Sequence, residues 1–431
     1  MERKKFGFET RMLHAGHIPD PHTGSRAVPI YSTAGFVFDS PDKAASLFEL
    51  KQYGNIYSRL MNPTVAVFEE RMASLEGGTG AVAVSSGMAA QFVTLMTLLQ
   101  PGDEIVASSH LYGGTYTQFE HTLKKLSVKV HFADPGNLDE WEEKISDKTK
   151  ALYGETIGNP QGSVFPFEEV SALAKTNSIP LIIDNTLASP YLCRPLELGA
   201  DIVVHSATKF INGHGTGIAG VIVESGRFDY SNYPTIADPS VPYHGLKFYE
   251  TFGHYGFLMK ARVETLRDVG ASLSAHEAFQ LVSGLETLSV RMDRHVENAK
   301  AIAKFLKDHP MVEWVNYSGL EDHPHYERAK KYLPKGPGSV FAFGLKPVKG
   351  LSERDTGKRL LEEVQLFSHV ANLGDSKSMI LHPGSTTHQQ LSEEELTQAG
   401  ISPGLIRLSV GLETTDDLIW DLEQAFHAIS Q

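Results

Sequence analysis

From about residue 63 onward the chain settles into a regular alternation of apolar runs and amphipathic stretches. "TVAVFEERMASLEGG" spaces its apolar residues at helical intervals and closes on Gly77, which predicts a helix. "AVAVSS" then predicts a strand, and "MAAQFVTLMTLLQ" a helix stopped by "PGD". "EIVAS", "VKVHFAD", "KALYGET", "PLIIDNT", "DIVVHS" and "GIAGVIVES" follow as short apolar runs, several separated by helical stretches. Strands apolar on both faces, alternating with helices, predict an α/β fold with a mostly parallel sheet covered on both sides.

The pattern changes near residue 284. "ENAKAIAKFLKDHP" and "GKRLLEEVQLF" read as amphipathic helices, and "SVFAFGL" and "LIRLSVGLE" as strands. "TTDDLIWDLEQAFHAI" reads as a closing helix with a capping box from Thr414 to Asp417. Residues 63–283 are therefore expected to form a large domain and 284–431 a smaller α+β domain. Residues 1–62 show little period and are rich in Pro, Gly and Ser, which predicts an arm lying on a neighbouring subunit. "RFDYSNYPTIADPSVPYHGLKFYETFGHYGF", aromatic and Pro-rich, predicts a long ordered excursion beside the active site.

Composition narrows the classes. The chain has 431 residues and a formal net charge of −13, which argues against nucleic-acid or anionic-membrane partners. Its single cysteine, Cys193, rules out an internal disulfide framework and a cysteine-based zinc site. The N-terminal "MERKKFGFET" lacks the apolar core of a signal peptide, so a soluble cytoplasmic protein is expected. His205, His214, His382 and His388 match no metal-ligand spacing, and no metal site is expected.

In open α/β sheets, ligands bind at the carboxyl ends of the strands. Lys209 follows "DIVVHS", with hydroxyls at Ser206 and Thr208 beside it and no acid nearby in sequence. Asp184 ends "PLIID", Gly87 lies in the strand-to-helix turn "SSGMAA", and Tyr112 follows "EIVASS" in "HLYGGTY". Taken singly, these read as a surface lysine, a turn aspartate, a tight packing contact and a core tyrosine. Together they suit pyridoxal 5'-phosphate. The amine condenses with its aldehyde, the carboxylate keeps its ring nitrogen protonated, the aromatic ring stacks on it, and helix N–H groups with the hydroxyls hold its phosphate.

"DIVVHSATKFINGHG" resembles the signature of the Cys/Met-metabolism family of pyridoxal-phosphate enzymes. The likeness extends through "YGNIYSRLMNPT", "SSGMAA", "YGGTY", "ETIGNP", "IIDNT", "NLGDSKSMILHPGSTTH" and "IRLSVGLE". The resemblance implies a fold-type-I architecture and a homotetramer built from close dimers. It implies that Lys209 is the cofactor-linked lysine, Asp184 the partner of the ring nitrogen and Tyr112 the stacking ring and catalytic assistant. Ser86, Gly87, Met88, Ser206 and Thr208 would hold the phosphate, and Asn159 would lie by the 3′-oxygen. Tyr57 and Arg59 would reach the phosphate of the neighbouring subunit. Arg407, helped by Asn372, would bind the substrate carboxylate.

Within the family, Gly114 stands where methionine lyases often carry cysteine, and Asn372 where many relatives carry serine. These departures, with the length of the aromatic excursion, resemble the branch that converts O-acetylhomoserine and sulfide to homocysteine and acetate. Methionine γ-lyase and cystathionine γ-synthase activities are the alternatives, with a non-catalytic binding member a more distant one. Because acetate leaves from Cγ, protons must first come off Cα and Cβ, and a freed Lys209 is the natural shuttle.

Overall fold

A computed structural model gives the fold and describes residues 6–160, 162–386 and 402–431. The early apolar runs form one seven-stranded sheet. Its strands are β1 (Gly80–Val84), β2 (Glu104–Ser108), β3 (Lys129–Ala133), β4 (Thr149–Glu155), β5 (Leu181–Asp184), β6 (Ile202–Ser206) and β7 (Gly220–Glu224). The spatial order is β1-β7-β6-β5-β4-β2-β3. β3, β2, β4, β5 and β6 are mutually parallel, and β7 runs antiparallel to both β6 and β1.

Alternation along these strands feeds two apolar layers. Leu152, Ile183 and Val203 face helix α3 (Pro63–Glu76) and the helix Ala275–Leu285. Ile182, Ile202 and Val204 face the opposite layer, built on helix α4 (Gly87–Leu98). Helix α3 starts where the sequence signals it. The Asn62 side chain accepts the Thr64 N–H at 2.9 Å, Pro63 takes the first helical position, and Gly77 ends the helix at φ 81°.

A second sheet follows, entirely C-terminal to residue 284. It comprises β8 (Val312–Asn316), β9 (Val340–Leu345), β10 (Ser368–His369), β11 (Met379–Leu381) and β12 (Leu405–Ser409), ordered β10-β11-β12-β9-β8. The helices Leu288–Asp308, Glu353–Glu363 and Thr415–Ser430 pack on it around Phe341, Phe343 and Leu408. The chain is thus α/β, with a mostly parallel sheet followed by an α+β unit. Among the described residues, no helix is long and apolar enough to cross a membrane.

Three expectations are corrected. The N-terminal arm is not wholly irregular: it carries α1 (Phe8–His14) and α2 (Pro41–Phe48), the latter capped by the Ser40 hydroxyl on the Lys43 N–H. Thr414 does precede the last helix, but its side chain accepts no capping hydrogen bond, so there is no capping box. The aromatic excursion does not line the active-site cavity of its own chain. Tyr230, Tyr233, Phe248 and Phe257 are buried against the sheet layer built on α4, because a surface strap this aromatic gains more by burial than by exposure.

That packing buries Glu224 at the far end of β7. No well-formed hydrogen bond reaches either carboxyl oxygen, although the Tyr230 hydroxyl faces it. Burial, with Asp201 adding to it, pushes the Glu224 carboxyl up to about 8 from 4.5. The folded state therefore holds this proton more tightly than the unfolded chain. The resulting stability is complete below the ordinary carboxyl range and is lost as pH rises through about 8. Above that pH the ionised carboxylate costs on the order of a few kcal/mol. Glu224→Gln, neutral throughout, should melt progressively higher than the parent chain as pH is raised from about 5 to about 9. A difference in melting temperature that stays constant across that range would show that the folded chain holds the Glu224 proton no more tightly than the unfolded chain does.

Candidate active site

The carboxyl ends of β4, β5 and β6 open into a cavity of about 260 Å³. Its wall carries Ser86, Gly87, Met88, Tyr112, Asn159, Asp184, Ser206, Thr208, Lys209, Asn372 and Arg407, all singled out from the sequence. Tyr57 and Arg59 are the exceptions. Arg59 lies over the Tyr57 ring at 5.5 Å and donates from Nη1 to the Arg267 carbonyl at 2.8 Å, away from the cavity of its own chain. His388 lies outside the described residues.

Local backbone explains most of these positions. Ser86 caps α4 by accepting the Ala89 N–H at 3.0 Å, which leaves the N–H groups of Gly87 and Met88 in a first turn that the helix does not use. Gly87 is required there by close approach: a Cβ would lie 2.6 Å from the Ser206 Cβ. The turn after β1 and the end of β6 are thereby pressed together. Thr208 exchanges hydrogen bonds with Ala219, its hydroxyl reaching the carbonyl at 3.2 Å and accepting the N–H at 3.0 Å.

Among the described residues, Lys209 has no carboxylate partner. Its Nζ donates to Asn372 Oδ1 at 2.5 Å, and Arg407 Nη2 donates to the Asn372 carbonyl at 2.9 Å. Burial, then the nearby Arg407, lowers the Lys209 ammonium to about 8. Burial likewise brings Arg407 down to about 10. The loop carrying Asn372 is stitched onto the lysine turn. Ser376 donates through its N–H and its hydroxyl to the Gly213 carbonyl, at 3.0 and 2.6 Å. Gly374, at φ 75°, sits so close that a Cβ would lie 3.1 Å from that of Lys209. Arg407 arrives from β12 in the second sheet, so the cavity is built where the two sheets meet.

The opposite wall is acidic. Asp184 accepts the Thr186 N–H at 2.9 Å, while Thr186 Oγ1 accepts the Ser206 N–H at 2.8 Å. Burial raises the Asp184 carboxyl, opposed by the Thr186 hydrogen bonds and by His205. Sequence reasoning missed its neighbour Glu155, which pairs in register with Asp184 across β4 and β5 and lines the same cavity. Burial, then Asp184, pushes the Glu155 carboxyl well up, and Glu155 Oε1 accepts the Tyr112 N–H at 2.6 Å. Glu155 ends a strand in "YGET" as Asp184 ends one in "LIID", and that parallel was the available signal. Gln91 and Thr115 were also missed. Gln91 Oε1 accepts from the hydroxyls of Tyr153 and Thr115, at 3.0 and 3.2 Å, behind Tyr112.

The donor set fits pyridoxal phosphate. An amine and a guanidinium face a carboxyl pair, with no ion pair joining them among the described residues, across a cavity with helix N–H groups at one end. An anionic phosphate, an aldehyde and a protonated ring nitrogen meet those needs in one molecule. Among the described residues no cluster of His, Cys, Asp or Glu is arranged to hold a metal ion.

Comparison with known proteins bears on this arrangement. The family of Cys/Met metabolism PLP-dependent enzymes matches residues 9–427. A Fusarium oxysporum f. sp. lycopersici protein named sulfhydrylase FUB7 is 50% identical, covering 97% of each chain. The O-acetyl-L-homoserine sulfhydrylase of Leptospira meyeri is 48% identical over 99% of this chain and 98% of its own. A crystal structure of a putative O-acetylhomoserine (thiol)-lyase from Campylobacter jejuni contains N'-pyridoxyl-lysine-5'-monophosphate. It superposes with a TM-score of 0.94 at 41% identity, covering 98% of this chain and all of that one. With both its sequence and its cavity accounted for, the chain belongs to the Cys/Met-metabolism family of PLP-dependent enzymes.

Proposed function

We propose that this chain is an O-acetylhomoserine sulfhydrylase, replacing the acetate of O-acetyl-L-homoserine with sulfide to give L-homocysteine. The observation that carries the reading is the Lys209 amine, bound by a neutral carbonyl, in one cavity with Asp184 and Arg407. The names of the relatives, alike over nearly their whole length, support the reaction. The reading places the enzyme in the cytoplasm, with residues 1–62 as an arm, 63–283 as the cofactor domain and 284–431 as the small domain.

Lys209, Asp184, Asn159 and Tyr112 would hold the ring, and Ser86, Gly87, Met88, Ser206 and Thr208 the phosphate. Bound there, pyridoxal phosphate supplies the electron sink that makes protons on the substrate's Cα and then Cβ removable. Arg407 binds the substrate carboxylate through its planar guanidinium and so fixes which bonds face Lys209. Its Nη2 is already oriented by the Asn372 carbonyl, which leaves the substrate to meet a pre-set group. Lys209, depressed to about 8, exchanges protons near neutral pH far more readily than an ordinary lysine. The Asn372 amide oxygen holds its Nζ within the cavity between transfers. Tyr112, half-exposed at the mouth, covers the ring and assists Lys209. Sulfide needs little room, whereas a cystathionine synthase must seat a whole cysteine.

The same reading makes the site shared between subunits of a homotetramer built from close dimers. Tyr57 and Arg59 lie outside their own cavity, and the arm bearing them exposes Val37, Phe48 and Tyr53. These features support Tyr57 and Arg59 serving the phosphate of a neighbour.

Given O-acetylhomoserine and sulfide, the purified enzyme should release homocysteine and acetate, while methionine alone yields little ammonia or 2-oxobutyrate. Efficient breakdown of methionine, with sulfide failing to divert O-acetylhomoserine into homocysteine, would move the chain to the lyase branch. Sharing of the site is checked by co-folding Arg59→Ala chains with Lys209→Ala chains. Each is expected to be inactive or nearly so alone, and isolated heterodimers should regain one working site in two. Heterodimers as inactive as the parents would put Arg59 in its own subunit's site.

A further inference from the structure

Tyr112 must lie flat against a cofactor ring to do what the proposed function asks, yet its own side chain is weakly held. The ring is half-exposed, and its phenol has the Arg407 guanidinium as its charged neighbour. Its main chain forms the N-cap of the short helix α5 (Gly113–Thr117), which no side chain caps. What fixes the residue is Glu155, whose Oε1 accepts the Tyr112 N–H at 2.6 Å from the end of β4. Glu155 is anchored in turn by the strand register that sets it beside Asp184, and it is buried.

Gly114 lies close against the same ring. Gly114 presents no side chain to it, and a methyl placed there would lie 2.4 Å from the Tyr112 ring. Gly114 has helical backbone, so this glycine serves proximity and not an unusual φ.

We propose that Glu155 is a positioning residue for this reaction: by holding the Tyr112 N–H it sets the stacking ring. The inference rests on the reading of Tyr112 as the ring that covers the cofactor. Burial and the adjacent Asp184 favour the un-ionised form of Glu155, so the work is done by an acceptor oxygen and not by a charge. Glutamine offers the same oxygen. Leucine does not.

The test compares the holoenzymes of the parent chain, Glu155→Gln and Glu155→Leu by visible circular dichroism of the bound cofactor, with kcat and KM for O-acetylhomoserine alongside. Glu155→Gln should keep the dichroic band and about the parental kcat. Glu155→Leu should weaken the band and lower kcat by about tenfold to a hundredfold, with KM changed far less. If Glu155→Leu does not fold, Glu155→Ala, which also lacks the acceptor oxygen, takes its place. A parental band in the folded Glu155→Leu or Glu155→Ala variant, or loss of the band in Glu155→Gln, overturns the proposal. The dichroism is read without substrate, so a parent chain that binds cofactor but does not convert O-acetylhomoserine would sink the proposed reaction while leaving this comparison valid.

Discussion

A lysine amine held by an amide oxygen in place of a carboxylate is the constraint on which this structure turns. An ion pair would have fixed the proton on Lys209; the Asn372 carbonyl orients the amine without doing so. Burial and Arg407 then lower its proton affinity, which prepares it both to condense with an aldehyde and to carry protons. The contact also governs the architecture. Asn372 reaches Lys209 only because the loop from 371 to 376 lies on the lysine turn, with Gly374 allowing the backbones to touch and Ser376 fastening them. That loop is held in turn by the second sheet, where the Ser409 hydroxyl accepts the Gly374 N–H at 2.9 Å.

The charges around the amine are segregated. Lys209 and Arg407 stand on the side reached from the second sheet, and Asp184 and Glu155 end neighbouring strands of the first. Among the described residues no ion pair joins the two sides, and Glu155 favours its un-ionised form, so the site is left to bind a ligand that brings both an anion and a proton-bearing nitrogen. Beneath the acidic wall, His205 meets Glu76 at 2.6 Å, both fully buried, and Asn185 donates to the same Glu76 oxygen at 2.9 Å. This buried layer ties β6 to α3 and sets the floor under Asp184.

Much of the site was legible because its chemistry is local. Lys209, Asp184, Gly87 and Tyr112 each follow a strand that hydrophobic continuity reveals, and the rule that ligands gather at strand ends brings them together without knowledge of strand order. Glu155 obeys the same rule but escaped notice, because its meaning depends on which strands are neighbours. Only the pairing of β4 with β5 puts it beside Asp184, and only the folded loop puts Tyr112 on its oxygen. Arg407 could be assigned by resemblance, but its arrival at the cavity depends on antiparallel pairing of β12 with β9 and β11, which no short pattern encodes. The aromatic excursion was misplaced for a related reason. Its composition announces burial, and composition does not say against which surface. Thr414 shows the limit at smallest scale: the right residue type at a helix start need not turn its hydroxyl inward.

The central claim is that Lys209, and no other lysine, is the amine that joins the cofactor. Borohydride reduction of the holoenzyme followed by peptide mass mapping tests it directly. The account predicts a phosphopyridoxyl adduct confined to the peptide containing "HSATKF", at Lys209. An adduct on a different lysine, or a reduced enzyme whose Lys209 peptide is unmodified, would contradict it.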